Sequence, residues 1–312
     1  MISVPRDRPI CVDIEFSNFR TEAMSSSRRA LIGVGQMTAS ADKEHNFQQC
    51  QELVKIGAAR GVHMLFLPEA FDYITPSTEE TLHLAEGLDG ELIERYRQLA
   101  RESRLWLSLG GFHERGPHWD QDRRVYNTHL LLDDSGQTVG LYRKTHLFDV
   151  DLPGQVSLKE SSFTIPGPQI ELPVTTPIGK IGLAICYDLR FPEISRTLAD
   201  AGAEILTFPS AFTLTTGMAH WETLLRSRAI ETQCYVVAAA QTGRHNDRRL
   251  SFGHSMVVDP WGCVLAQCGQ GLGLCCAEID LDYLQQVRQQ MPVTQHRRCD
   301  LYGSVGKPPS LS

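Results

Sequence analysis

The chain has no apolar run approaching the roughly 20 residues that a bilayer span requires, so no transmembrane helix is predicted. It has no run of Lys or Arg longer than a pair, and 37 acidic residues outnumber 30 basic ones, for a formal net charge of -7. That balance argues against a nucleic-acid partner and against binding to an anionic membrane. It leaves room for an anionic small molecule, because a pocket needs only local positive charge. Although nine cysteines are present, there is no CxxC pair and no Cys/His ligand cluster. We therefore expect no metal and no cofactor. The cysteines are odd in number and irregularly spaced, and some lie in apolar runs such as Leu274-Cys275-Cys276-Ala277. There they behave as small hydrophobes, which points to a reducing compartment. Repeats and low-complexity linkers are absent as well.

The first 29 residues lack the pattern of a leader. They mix Arg with Asp7, Asp13, Glu15 and Glu22. A mitochondrial presequence is poor in acids, and a secretory signal needs an apolar centre. The expectation is a disordered extension over 1–29, with Met24 as an internal start for a shorter form. Residues 30–302 would form one domain and 303–312 a polar tail. The expected location is the cytoplasm; a mitochondrial form would need a presequence unlike this segment.

What is present is an ordinary globular composition, 42% hydrophobic and 21% charged over 312 residues. Residues 30–37 (ALIGVGQM) read as a strand. Asp42 then caps a helix whose apolar face is Phe47, Cys50, Val54 and Ala58. Residues 63–68 (HMLFLP) form a short buried strand, and Asp89 opens a helix presenting Leu92, Tyr96, Leu99 and Ala100. A strand over 105–112 precedes a hairpin of 126–132 with 137–142 around Asp133-Asp134-Ser135-Gly136. After a long connection from Lys144 to Pro173, strands at 180–186, 204–208 and 235–240 alternate with helices from Glu193 and from His220 to Cys234. A second hairpin joins 252–258 to 262–267, and a strand at 274–279 leads into a helix capped by Asp280. Strands alternating with helices and interrupted by hairpins imply mixed sheets covered by helices.

Three groups capable of acid, base or nucleophilic chemistry stand at the ends of predicted buried strands. Glu69 ends HMLFLPE, Lys144 follows the strand at 139–142, and Cys186 ends KIGLAIC. Strand ends are where α/β sheets place ligands and catalysts. A glutamate directly after an apolar run is expensive to bury without a partner or a task. Each residue alone has an ordinary structural reading; the three together do not. His113, His129, His146, His220 and His254 also lie near element ends, so a histidine base stays open.

The stretches FLPEAF, YRKTHLFD and CYDLRFPE resemble, in order, the three signature motifs of the nitrilase superfamily. The resemblance runs from about Ala30 to Tyr302. It implies a four-layer αββα sandwich of two mixed β-sheets flanked by helices. It also implies Glu69 as proton acceptor, Lys144 as oxyanion or proton donor and Cys186 as nucleophile. A supporting glutamate falls on Glu160, with Glu171 nearby. The Tyr187 backbone N–H, just past the nucleophile, would be a second oxyanion donor. A free cysteine ionises near pH 8.5, so a cation such as Lys144 should favour the thiolate and make Cys186 the most oxidisable cysteine of the chain.

WLSLGGFHERG, AHWETLLRSRAIETQCYVVAAAQTGRH and GHSMVVDPWG look most like the branch of this family acting on deaminated glutathione. That branch implies hydrolysis to 2-oxoglutarate and cysteinylglycine through a thioester. The substrate is anionic, so Arg190, or Arg226 and Arg228, would pair its carboxylates. Phe71, Tyr73, Phe212, Thr213 and Thr216 follow predicted strands and are expected to line the pocket. The family also implies a homodimer or higher homo-oligomer, joined through the segment after Cys186 and the helix 220–234. An omega-amidase or carbamoyl hydrolase, and a non-catalytic growth-control protein on the same scaffold, stay open as alternatives.

Overall fold

The structure, a computed structural model, describes residues 28–303 apart from 153–155. Apart from residues 28, 29 and 303, the expected N-terminal extension and C-terminal tail lie outside the described residues. The chain opens with strand β1 (Arg29–Met37), helix α1 (Lys43–Ala59) and strand β2 (Met64–Leu67). Helices α2 (Thr78–Leu84) and α3 (Glu91–Ser103) lead to β3 (Trp106–Glu114), followed by the hairpin β4 (Tyr126–Leu132) and β5 (Thr138–Arg143). A small ribbon follows, β6 (Asp149–Leu152) with β7 (Val156–Lys159), and then β8 (Val174–Thr176) and β9 (Gly179–Leu183). Helix α4 (Pro192–Asp200), β10 (Ile205–Thr207), helix α5 (Leu214–Thr232) and β11 (Tyr235–Ala238) come next. Strands β12 (Ala240–Arg244), β13 (Leu250–Phe252), β14 (Met256–Val258), β15 (Val264–Gln267) and β16 (Gly273–Asp280) precede α6 (Leu281–Gln290) and the short α7 (Cys299–Tyr302).

Among the described residues, β13-β12-β1-β2-β3-β4-β5 form one sheet, with β16 paired to β1 to make eight strands. The order β15-β14-β11-β10-β9-β8 forms a second sheet of six. Alternation along each strand shows how they stack. Ile32, Val34, Met64 and Phe66 of the first sheet share one buried cluster with Ile181, Leu183, Leu206 and Val257 of the second. Their neighbours Leu65 and Leu67 face the other way, against Phe47, Leu53, Val54 and Tyr96 of α1 and α3. Helices α4 and α5 cover the outer face of the second sheet through Leu198, Trp221, Leu225 and Ala229. The result is the αββα sandwich implied by the resemblance. With both faces covered, the strands read as continuous apolar runs.

Several boundaries differ from the sequence expectation. Helix α1 buries Leu53 and Gly57, and Ala58 is exposed. The N-cap of α3 is Gly90, not Asp89. Helix α2 occupies a stretch to which the sequence assigns no element, and the ribbon β6–β7 lies within the long connection from Lys144 to Pro173. Helix α5 starts at Leu214, because the Thr213 side chain caps it by accepting from Thr216 N–H. Its Gly217 leaves room for the neighbouring strand: a Cβ there would lie 2.3 Å from the Phe252 side chain.

The predicted strand at 235–240 continues as two. Tyr235–Ala238 pairs in the six-stranded sheet and Ala240–Arg244 in the eight-stranded one. The return through β13 and β14 crosses back the same way, and these crossings stitch the two sheets together beside the C-terminal ends of β2 and β9.

Candidate active site

Glu69 follows Leu67 and Pro68 at the C-terminal end of β2. The next residue, Ala70, takes a left-handed conformation (φ 55°), which turns the chain sharply. The turn is held by Gln241, whose Nε2 donates to the carbonyls of Glu69 (3.0 Å) and Ala70 (3.1 Å). The Glu69 carboxylate is buried and accepts several hydrogen bonds. Lys144 Nζ (3.0 Å) and Asn127 Nδ2 (2.9 Å) donate to Oε1, and the Ala211 N–H (2.9 Å) donates to Oε2. Burial opposes its ionisation. The Lys144 charge, with hydrogen bonds from Cys186 and Lys144, outweighs that penalty and holds the carboxyl below the usual range.

Lys144 stands just past β5 and is only 2% exposed. Its Nζ also donates to Glu160 Oε1 (3.1 Å) and Oε2 (3.0 Å), so one ammonium bridges two carboxylates. Burial pulls its pKa down, but the charges of Glu160 and Glu69 more than reverse this, and the ammonium is retained far above neutrality. Glu160 sits on a one-turn 3₁₀ helix, Glu160–Ser162, and is fixed further by the Phe148 N–H at 2.6 Å. Glu160, not Glu171, joins the constellation.

The strand before Cys186 ends at Leu183, earlier than predicted. Asp188 causes this by accepting the Ile185 N–H (2.9 Å), which curls the chain into the 3₁₀ turn Cys186–Arg190. Cys186 takes φ 44° at the head of that turn, a sparsely populated conformation for a residue with a Cβ. Its N–H donates to Pro209 O (2.9 Å). Asp188 is completely buried and also accepts from Tyr142 Oη (2.8 Å) and His146 N–H (3.1 Å). Tyr187 is the second residue of the turn, where an N–H has no partner within the turn itself.

The expected thiolate is not supported. Burial pushes the Cys186 thiol up, and the Glu69 charge pushes it further; Lys144 opposes both without overcoming them. Burial is the main reason, and local charge adds to it: the ammonium is shared by two carboxylates, so the group of three is net negative. A buried, protonated thiol is a poor target for oxidants, which removes the basis for calling it the chain's most oxidisable cysteine.

Glu69, Lys144, Glu160, Cys186 and Tyr187 all line one cavity of about 310 Å³, together with Arg190, Phe212, Thr213 and Thr216. Phe148, Leu158 and Phe163 add apolar wall. Arg190 lies over the rings of Phe212 (5.4 Å) and Tyr187 (5.9 Å) and donates to His220 Nδ1 at 3.2 Å.

Other expected contacts do not reach this cavity. Arg226 binds Gly262 O and Glu222, and buried Arg228 binds Leu189 O and Glu231; both tie α5 to its surroundings. Phe71 packs in the core against Tyr96, and Tyr73 stacks on the His113 ring at 4.4 Å. Among the described residues no histidine is hydrogen-bonded to Cys186. His113 does line the cavity but binds Asp72, while His129 binds Ser108 and His146 binds Asp188.

Sequence reasoning missed Asn127, Gln241, Asp188 and the pair Arg248 and Arg249. Asp188 was in view inside CYDLRFPE. Arg248 and Arg249 were visible as a basic pair, but only the return of β12 toward β13 brings them to the cavity. Asn127 and Gln241 carry no sequence signal, being single amides in strands of mixed polarity. Among the described residues no group of three or more His, Cys, Asp or Glu is arranged to hold a metal ion, and no helix is long and apolar enough to cross a membrane.

Residues 31–289 match the carbon-nitrogen hydrolase family. The chain is similar to the deaminated glutathione amidase of Bos taurus, at 59% identity over 309 residues, covering 98% of this chain and 93% of that one. It is similar in structure to the C. elegans NitFhit protein, with a TM-score of 0.84 at 52% identity, covering 89% of this chain and 67% of that longer one. It also resembles Saccharomyces cerevisiae Nit3, a member of branch 10 of the nitrilase superfamily, with a TM-score of 0.77 at 30% identity over 86% of this chain and 97% of that one. With the sandwich fold and the buried Glu–Lys–Glu group beside a strand-end cysteine, these matches show that the chain belongs to the carbon-nitrogen hydrolase family of the nitrilase superfamily.

Proposed function

We propose that this protein hydrolyses the amide bond of deaminated glutathione, with Cys186 as nucleophile. The observation that carries this reading is the convergence of Glu69, Lys144, Glu160 and Cys186 on one cavity, with Lys144 Nζ within 3.1 Å of both carboxylates. The substrate comes from similarity to relatives bearing that name.

The chemistry follows from the charges. The thiol is protonated in the free protein, so its proton leaves as attack occurs. Cys186 Sγ bonds to the amide carbon while Glu69, an ionised carboxylate, accepts the thiol proton. The carbonyl oxygen becomes an oxyanion facing Lys144 Nζ and the Tyr187 N–H; losing one such donor typically costs about 100- to 1000-fold in rate. Collapse breaks the C–N bond, and Glu69 returns its proton to the departing amine of cysteinylglycine. Water, deprotonated by Glu69, then cleaves the thioester to release 2-oxoglutarate and restore the thiol. Glu160 moves no proton; it aims Lys144.

Two further expectations belong to this reading: a cytoplasmic location and at least a homodimer. Exposed Leu214, Met218 and Ile230 along α5 favour self-association, and a monomer by light scattering at micromolar protein would end that expectation.

The test is intact-mass analysis on mixing with deaminated glutathione and, separately, 2-oxoglutaramate. An adduct of one oxoglutaryl group that is absent in Cys186→Ala, with turnover lost and the fold retained, is the expected result. Substantial turnover by Cys186→Ala would overturn it. A higher kcat/KM on 2-oxoglutaramate would move the substrate to that amide.

A further inference from the structure

In the body of the protein, arginines of this acidic chain are matched with carboxylates: Arg95 with Glu44, Arg124 with Asp122, Arg143 with Glu114, and Arg196 with Asp200. Others, such as Arg60 and Arg288, are spent on backbone carbonyls. The cavity gathers three that, among the described residues, have neither kind of partner. Arg190, Arg248 and Arg249 all line it. Among the described residues, Arg190 has only the His220 ring as a polar side-chain partner, and the guanidinium groups of Arg248 and Arg249 make no hydrogen bond or ion pair. The ionised groups of the wall are Lys144 with these three arginines against Glu69 and Glu160, which leaves two positive charges in excess. Unpaired guanidinium groups gathered in a concave wall are complementary to an anionic ligand.

The arginines come from two different elements. Arg190 ends the turn that begins at Cys186 and lies over Phe212. Arg248 and Arg249 belong to the loop between β12 and β13. That loop is tight: the His245 N–H donates to Arg249 O (3.0 Å) and the Arg248 N–H to Asn246 Oδ1 (3.0 Å). Buried His245 anchors it, through Nδ1 to Ala39 O and Nε2 to Ser251 Oγ, both at 2.8 Å. The loop therefore holds its two arginines at a defined place on the rim. It is the Glu69 side, since Gln241 of β12 binds the Glu69 and Ala70 carbonyls and Asn246 Nδ2 of the loop donates to Thr75 O (3.3 Å) in the segment that follows. In the proposed reaction Glu69 hands its proton to the departing amine, so the amine half of the substrate lies on the same side.

We propose that Arg248 and Arg249 form an anion site for a carboxylate on the leaving amine, while Arg190 serves a carboxylate on the acyl half. The cavity thus selects amides that are anionic at both ends. This rests on the assignment of Cys186 and Glu69 under Proposed function and extends it to specificity.

The experiment compares deaminated glutathione with the same compound capped as its C-terminal amide. The wild type is expected to prefer the free carboxylate by roughly 10- to 100-fold in kcat/KM, the value of a charged hydrogen-bonded contact. In R248Q/R249Q the preference should collapse toward unity, whatever fall in kcat/KM the two compounds share. R190Q should lower both compounds alike and leave their ratio unchanged. A ratio in R248Q/R249Q equal to that of the wild type overturns the proposal.

A second readout stands apart from turnover: protection of Cys186 from iodoacetamide by N-acetylglycine against its methylamide. Selective protection by the carboxylate, lost in R248Q/R249Q, supports the anion site even if neither glutathione derivative is cleaved, an outcome that would defeat the substrate assignment alone. Equal protection by the two in the wild type overturns the anion site.

Discussion

Asp188 holds His146 twice, accepting its backbone N–H at 3.1 Å and facing its Nδ1 at 2.7 Å. One buried carboxylate thereby ties the turn that carries Cys186 to the loop that follows Lys144. The same side chain takes the Ile185 N–H and the Tyr142 hydroxyl, so its oxygens are fully used. Asp188→Asn puts an NH₂ where only acceptors serve. It should destabilise the fold by about 2–4 kcal/mol, because donors are left unmatched in a buried site. It should also lower kcat by at least about tenfold through misplacement of Cys186 relative to Lys144. Denaturant unfolding and kcat on the same preparation check both; unchanged kcat would sever Asp188 from the site.

Glu160→Gln removes one of the two negative charges that flank Lys144. The ammonium then acts less divided on Cys186, and the thiolate becomes easier to form. The pH profile of Cys186 alkylation by iodoacetamide should shift to lower pH relative to the wild type. Turnover should nevertheless fall, by roughly 100-fold, because Lys144 is no longer aimed. An alkylation profile that stays put would mean Glu160 does not tune the thiol.

Stability should decline in mild acid. Burial lowers the His129 pKa to about 4, and burial with the Arg249 charge lowers that of His245 to about 4. Both values lie below the ordinary 6.5, so the unfolded chain binds more protons than the native one between them. Neither residue costs stability above pH 6.5, and the loss grows as pH falls from about 6.5 toward 4. It reaches on the order of 3 kcal/mol for each histidine. Unfolding curves at pH 7 and pH 5 measure it. His129→Gln should flatten the dependence, whatever it does to stability at pH 7.

Gly110 lies in β3 at the irregular register between Leu109 and Phe112. A Cβ there would sit 2.2 Å from Leu67 O and 2.3 Å from Pro209 Cβ. Those atoms belong to the segments that deliver Glu69 and receive the Cys186 N–H. Gly110→Ala should therefore cost about 1–3 kcal/mol by forced displacement and lower activity as well. Gly61→Ala offers a control, since its Cβ would meet nothing within 4 Å and only its backbone conformation (φ 72°) is strained. A Gly110→Ala variant with wild-type kcat would show that the site absorbs the shift.

Much of the molecule is legible in its sequence. Covered strands announce themselves as apolar runs, and Asp42 and Asp280 cap helices where the sequence places them. Glu69, Lys144, Glu160 and Cys186 were named from motifs, and all four line the cavity. Periodicity failed where tertiary contacts set the conformation. The run at 235–240 divides between two sheets because its first part pairs with β10 and β14 and its continuation with β1 and β13. Helix α2 and the ribbon β6–β7 are too short to carry a pattern.

The sequence by itself determined the strand-helix order, the family and the types of residue able to do chemistry, because these depend on local pattern and motif. The ionisation of the group was decided only in three dimensions. Lys144 could not be known to serve two carboxylates at once, and that sharing, with burial, keeps Cys186 a thiol. Nor could the sequence say which arginines face the cavity. Arg226 and Arg228 stand on the helix that follows the Cys186 turn and point elsewhere, while Arg248 and Arg249 arrive from a distant strand crossing. Charges act through space, and distance along the chain does not measure it.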